Sequence, residues 1–222
     1  MKHLEGIEAI LFDLDGTLLD TYSIILESMQ HAVDTVLEQE IPPEILMAKV
    51  GQPLAVQMKD FTSDEAVQEE LLHVYRAYNK VIHDERVRAF PGVAEVLQKL
   101  RGAGLRLGIV TSKRHNPALD GLRISGIEQY FEFVVGADDW PEHKPDPGPI
   151  FHAADVLGLK TSQCVYVGDS PYDIQAGNAA GCVTIAALWG MFSREALRAE
   201  MPDFESDDIR DVLSVLGVKE AR

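Results

Sequence analysis

The sequence predicts an α/β fold, in which a parallel sheet is covered by helices on both faces and an all-helical segment is inserted early. Three observations lead there. Apolar runs of strand length recur at 9–12, 105–110, 131–135, 164–167 and 183–188. Their hydrophobicity is near-continuous rather than alternating, as in strands buried on both faces, and helical patterns separate them. Between the first run and the second, no strand-like stretch appears before Phe90, and helical spacing fills the interval.

The first run, AILF, ends in Asp13 and Asp15, with Gly16 and Thr17 directly behind. Over 21–40, Ile25, Met29, Ala32, Val33, Val36 and Leu37 recur at helical spacing until Pro42 and Pro43 break the pattern. Further helical segments are expected near 53–61 and 63–82. The helical insertion is therefore placed at 17–84, and the α/β part at 1–16 and 85–222. Val93, Val96, Leu97 and Leu100 predict a helix opened by Pro91 and stopped near Gly102. Another spans 147–157 and stops at Gly158; the last carries Ile209, Val212, Leu213 and Leu216 and ends at Gly217. The glycine-rich GAGLRLG, 102–108, precedes a strand, whereas a dinucleotide loop follows one, so it reads as a helix stop and a turn.

Composition narrows the partners. Hydrophobic residues make up 46% of the 222, enough to bury a core. With 36 acidic against 20 basic residues the net charge is -16, which argues against nucleic acid and anionic membranes as partners. A small anionic substrate stays possible if local cations overcome that field. Cys164 and Cys182, the only cysteines, read as small buried hydrophobes. The uncharged stretch 174–193 contains three glycines, Gln175 and Asn178, and suits a helix end and a buried strand better than a membrane span. Asp13 and Asp15 interrupt the first apolar run, so no secretory signal is read and a cytoplasmic location is expected. Monomer and homodimer are equally open.

In open parallel sheets, ligands bind beyond the carboxyl ends of the strands. Polar residues gather at those ends here: Asp13 and Asp15 after AILF, Thr111 and Ser112 after LRLGIV, Lys144 in the loop EHKPDPGP, Asp169 after CVYVG. Residues two apart in extended chain face one side, so Asp13 and Asp15 repel unless a cation or a shared proton lies between them. Oxygen ligands without His or Cys point to a hard cation, and magnesium fits best. Asp169, Ser170 and Asp173 are also candidate caps for a helix starting at Pro171. His143 reads as a solvated loop residue.

DLDGT, VTS, HKPDP and GDSPYD resemble, in order, the four motifs of the haloacid dehalogenase superfamily, and the helical insertion resembles its type-one cap. The resemblance is nearest to phosphoglycolate phosphatases and related pyrophosphatases; YRAYNKVIHDERVRAFPGV (75–93) is similar to the pyrophosphatase branch. It implies a Rossmann-like three-layer core with a helical cap. Asp13 is then the nucleophile that forms an aspartyl-phosphate, and Asp15 the acid for the leaving group and later the base for water. Magnesium would be held by the Asp13 carboxylate, the Asp15 backbone carbonyl and Asp169, with Asp173 supporting. Thr111 and Ser112 would bind phosphoryl oxygens, and Lys144 would neutralise charge. Dehalogenases of this superfamily lack an acid two residues past the nucleophile, so Asp15 favours phosphate chemistry.

The segment KVGQPL, 49–54, resembles the cap loop that reaches the cleft, making Lys49, Gly51 and Gln52 candidate substrate contacts. Lys59, Arg76 and Lys80 are further candidate cations. Three functions are weighed: a magnesium-dependent phosphatase of small anionic monoesters, phosphoglycolate first; an inorganic pyrophosphatase or sugar-phosphate mutase; and a non-catalytic protein that binds a phosphorylated metabolite.

Overall fold

The computed structural model describes residues 4–218. In chain order its elements are β1 (Ala9–Phe12), α1 (Tyr22–Leu37), α2 (Pro43–Leu46), α3 (Leu54–Gln57), α4 (Glu65–Arg86), α5 (Val93–Gly102), β2 (Arg106–Val110) and α6 (His115–Ile124). There follow β3 (Val134–Val135), α7 (Gly148–Leu157), β4 (Cys164–Gly168), α8 (Pro171–Ala180), β5 (Val183–Ala187), α9 (Arg194–Ala199), β6 (Phe204–Ser206) and α10 (Asp211–Val215). The strands form one parallel sheet in the order β3-β2-β1-β4-β5-β6. Strand order reverses between β1 and β4, and the crevice at such a reversal is where open α/β sheets bind ligands.

Period-two alternation explains why both faces need cover. On β1, Ile10 and Phe12 enter one core with α5, α6 and α10, while Ala9 and Leu11 enter another with α7 and α8. Strand β4 divides likewise, Val165 and Val167 against Cys164 and Tyr166. Both cysteines are buried, as expected of small hydrophobes. Residues 22–86 hold a separate core built by α1, α4 and the short helices between them, with Met29, Ala32, Val33, Met58 and Leu71 fully enclosed.

Several elements differ from expectation for identifiable reasons. The run 131–135 yields only a two-residue strand, because Phe131 leaves a 3₁₀ turn and packs edge-on against Phe12. Strand β6 and helix α9 escaped notice: β6 is a three-residue edge whose Glu205 pairs with Arg194 and Arg198 of α9. Helix α6 buries only Ala118, Gly121 and Leu122, too little apolar area to mark a helix in sequence. Leu18 and Leu19, set on the helical side of a junction at residue 17, are buried in the α/β core, and α4 continues to Arg86. The two chain crossings between the layers pair with each other: Leu19 bridges Ala89, Asp20 N donates to Arg88 O at 2.9 Å and Phe90 N to Leu18 O at 3.0 Å.

The helical layer's own core predicts a measurable energy. Leu71→Ala leaves a cavity among Met29, Met58 and Tyr75, and should lower unfolding free energy by about 2–5 kcal/mol in urea titration. A loss below about 1 kcal/mol would show that this layer is loosely packed.

Candidate active site

The site stands at the carboxyl ends of β1, β2 and β4. Asp13 and Asp15 follow β1 directly, and Gly16 turns the chain between them and Thr17 with φ +86°. Glycine is required there twice over, since a Cβ would also collide with the Asp169 carboxylate. That contact places the β1 loop against the β4 loop, and Thr17 Oγ1 donates to Asp169 Oδ1 at 2.8 Å. The other Asp169 oxygen accepts Met191 N at 2.8 Å.

Lys144 enters from the loop after β3 and is 3% exposed. Its Nζ donates to Asp13 Oδ1 at 2.7 Å and to Asp173 Oδ1 at 2.6 Å, and lies over the Tyr166 ring. Burial alone would discharge the ammonium, but Asp13 and Asp173 outweigh it and hold its pKa well above the ordinary lysine value. Ser170 caps α8, taking that role from the two aspartates, and forms a reciprocal capping box with Asp173. Asp173 Oδ2 accepts from Ser170 N at 3.0 Å and Ser170 Oγ at 2.6 Å. With both its oxygens engaged by protein, Asp173 braces the lysine.

Asp13 shows the opposite balance. Burial raises its pKa to about 7; Lys144 opposes this, while Asp173 and Asp15 reinforce it. Asp169 is also held well above the ordinary carboxylate value, by burial and then by Asp13 and Asp173. Asp13, Asp169 and Asp173 bring ligand oxygens within 4.8 Å of one another. Two buried carboxylates short of positive charge and an all-oxygen donor set suit a hard dication, held by Asp13 and Asp169. Magnesium chemistry fits these residues.

Asp15 is different again. Lys113 Nζ lies 3.0 Å from both its oxygens. Burial pushes the Asp15 carboxyl up, but the charge and hydrogen bonds of Lys113 prevail and its pKa falls below the usual value. Sequence reasoning stopped one residue short of Lys113, although it occupies the same strand-end loop as Thr111 and Ser112. It also missed His83, buried on α4, whose pKa is lowered by burial and then by Lys113. Helical spacing from Arg76 through Lys80 to His83 was the available signal.

These groups border a cavity of about 460 Å³, lined by Asp13, Asp15, Gly51, Gln52, Thr111 and Ser112 among others. His143 lines it too, half-buried rather than free in solvent. Gly51, at φ +100°, lets the loop before α3 press against Ser170, and its carbonyl accepts from Ser112 Oγ at 2.6 Å. Lys49 is turned elsewhere: its Nζ pairs with Asp60 at 2.6 Å and it does not line this cavity.

Buried carboxylates and a lysine at the switch point of a 3-2-1-4-5-6 sheet match the geometry of one family. The family model for haloacid dehalogenase-like hydrolases matches residues 10–187, and the chain belongs to that family. It is a hydrolase of the phosphatase kind. Among its relatives, pyrophosphatase PpaX of Bacillus velezensis is 37% identical over 213 residues, covering 96% of this chain and 98% of that protein. Pyrophosphatase PpaX of Bacillus cereus strain AH820 is 36% identical over 211 residues, covering 95% and 97%. A crystal structure described as a predicted phosphoglycolate phosphatase from Haemophilus somnus superposes with a TM-score of 0.88 at 26% identity, covering 96% of this chain and 99% of that one. Among the described residues, no helix is long and apolar enough to cross a membrane.

The raised Asp13 pKa sets a pH dependence. Unfolded, this carboxyl titrates near 3.8; folded, at about 7. Between those values the folded state binds the extra proton, so Asp13 withdraws stability as pH rises. Asp13→Asn keeps the neutral form throughout. In metal-free protein it should unfold at higher urea than wild type near pH ~8, with the gap closing toward pH ~4. A variant less stable than wild type at the higher pH would mean that the Lys144 contact outweighs burial.

Proposed function

We propose that the protein is a magnesium-dependent phosphatase of small anionic phosphates, acting through an aspartyl-phosphate on Asp13. The observation that carries this reading is the meeting of Asp13, Lys144 and Asp169 at the crevice between β1 and β4. An Asp13 carboxylate oxygen attacks phosphorus as the bond to the leaving oxygen breaks. Lys144 neutralises the nucleophile and the transferring group, and the Thr111 and Ser112 region receives phosphoryl oxygens. Asp15 then takes a proton from water, whose oxygen attacks phosphorus, releasing phosphate and restoring Asp13. Magnesium, held by the carboxylates of Asp13 and Asp169 and the Asp15 carbonyl, would supply the charge that lets two anions meet. Residues 17–84, or 22–86 by helix boundaries, would act as the cap that excludes water and bulky groups.

Phosphoglycolate and pyrophosphate are the leading substrates, and the Asp15–Lys113 pair favours the second. Glycolate leaves as an alkoxide that needs a proton, since its conjugate acid has a pKa of roughly 15. Phosphate has a relevant pKa near ~6 to 7 and leaves unprotonated. Lys113 keeps Asp15 ionised, which suits a base for the second step better than an acid for the first. The names of the PpaX relatives point the same way.

A screen of both substrates, with and without magnesium, tests the function. Asp13→Asn should abolish turnover, and Asp169→Ala should weaken magnesium dependence as well as activity. Full wild-type activity in chelator would remove magnesium, and binding without turnover would leave the sensor reading. The acid role has its own measurement in the burst of the first step. If Asp15 protonates the alkoxide despite Lys113, Asp15→Asn should slow that burst by about 10²- to 10⁴-fold for phosphoglycolate and much less for pyrophosphate. Equal small effects on both would take the leaving-group proton away from Asp15.

A further inference from the structure

Helix α4 turns one face toward the cavity, presenting Tyr75, Arg76, Asn79, Lys80, His83 and Asp84 at helical spacing. Of the lysines and arginines that line the cavity, Lys80 is paired with Asp84 at 2.8 Å, Lys113 with Asp15 at 3.0 Å and Arg114 with Asp138 at 3.1 Å. Arg76 has no ion pair or hydrogen bond to any described residue. It stands at the mouth, where the cavity meets an open groove along Leu72, His73 and Ala77. His83 lies two turns further along, about 10 Å by helical rise. It is 4% exposed, and its Nε2 is buried against Gly121 of α6 with no hydrogen bond to a described residue.

An unpaired guanidinium offers a planar fork that matches a carboxylate or phosphate oxygen pair. In a chain of net charge -16, it also places a positive charge at the mouth, where an incoming anion would pass. Resting on the phosphatase reading, we propose that Arg76 determines specificity by taking the second anionic group of the substrate. That group is the carboxylate of a glycolate-type monoester or the distal phosphoryl of pyrophosphate.

The test compares substrates with and without a second anion: phosphoglycolate, pyrophosphate and phenyl phosphate, each with magnesium. Arg76→Gln should lose about 10- to 100-fold in kcat/KM on the first two, mostly through KM, and about twofold or less on phenyl phosphate. Arg76→Lys, which keeps the charge but not the fork, should recover part of the loss. Equal losses on all three, or none, overturn the proposal. A loss on only one of the two substrates that carry a second anionic group identifies which anion Arg76 receives. If wild type turns over none of the three, the phosphatase reading fails. Calorimetry with pyrophosphate then decides the contact: binding at least about 10-fold weaker in Arg76→Gln supports it, and equal binding overturns it.

Discussion

Lys144 is the group on which the site depends. Fully enclosed at the strand ends, it would be an intolerable charge by itself, and Asp13 and Asp173 make it tolerable. The accounting leaves a surplus of negative charge, since Asp169 also reaches this space. Burial and mutual repulsion then lift Asp13 and Asp169 toward the neutral form. Everything nearby serves to contain the surplus: Ser170 and Tyr166 around Asp173, Thr17 and the Met191 amide on Asp169. What remains unsatisfied is a demand for positive charge at one point, which the proposed dication would meet.

Much of this was legible before any coordinates. Buried parallel strands announce themselves by continuous hydrophobicity, and a parallel sheet delivers its strand ends to a common rim. Asp13, Asp15, Thr111, Lys144 and Asp169 could therefore be grouped although they span most of the chain. What escaped were features without a periodic signature. Strand β6 is short and half polar, α6 packs through small residues, and the 131–135 run spends its hydrophobicity on core contacts rather than on a ladder.

At the site the same limit applies. Charge type and strand-end position located the carboxylates, but pairing between elements is a property of space. Nothing in KVGQPL distinguishes the Lys49 that turns to Asp60 from one that would face the cavity. Nor does the chain around Lys113 declare that it will sit on Asp15, ninety-eight residues earlier. Gly51 is a middle case: the resemblance of KVGQPL placed it at the cleft, and only the fold shows that its carbonyl meets Ser112.

The paired crossings between the layers carry a mechanical consequence. Leu18–Asp20 and Arg88–Phe90 are cross-linked by backbone hydrogen bonds, so the connections form one narrow ribbon instead of two independent tethers. A ribbon of this kind is stiff within its plane and against sliding of its strands, and compliant to flexing across its face. Such a ribbon restrains relative displacement of the two layers along more directions than two separate tethers would, leaving flexing across its face as the softest coordinate. Because the ribbon begins at Leu18, beside the Thr17 hydroxyl on Asp169, that coordinate is anchored in the carboxylate cluster itself.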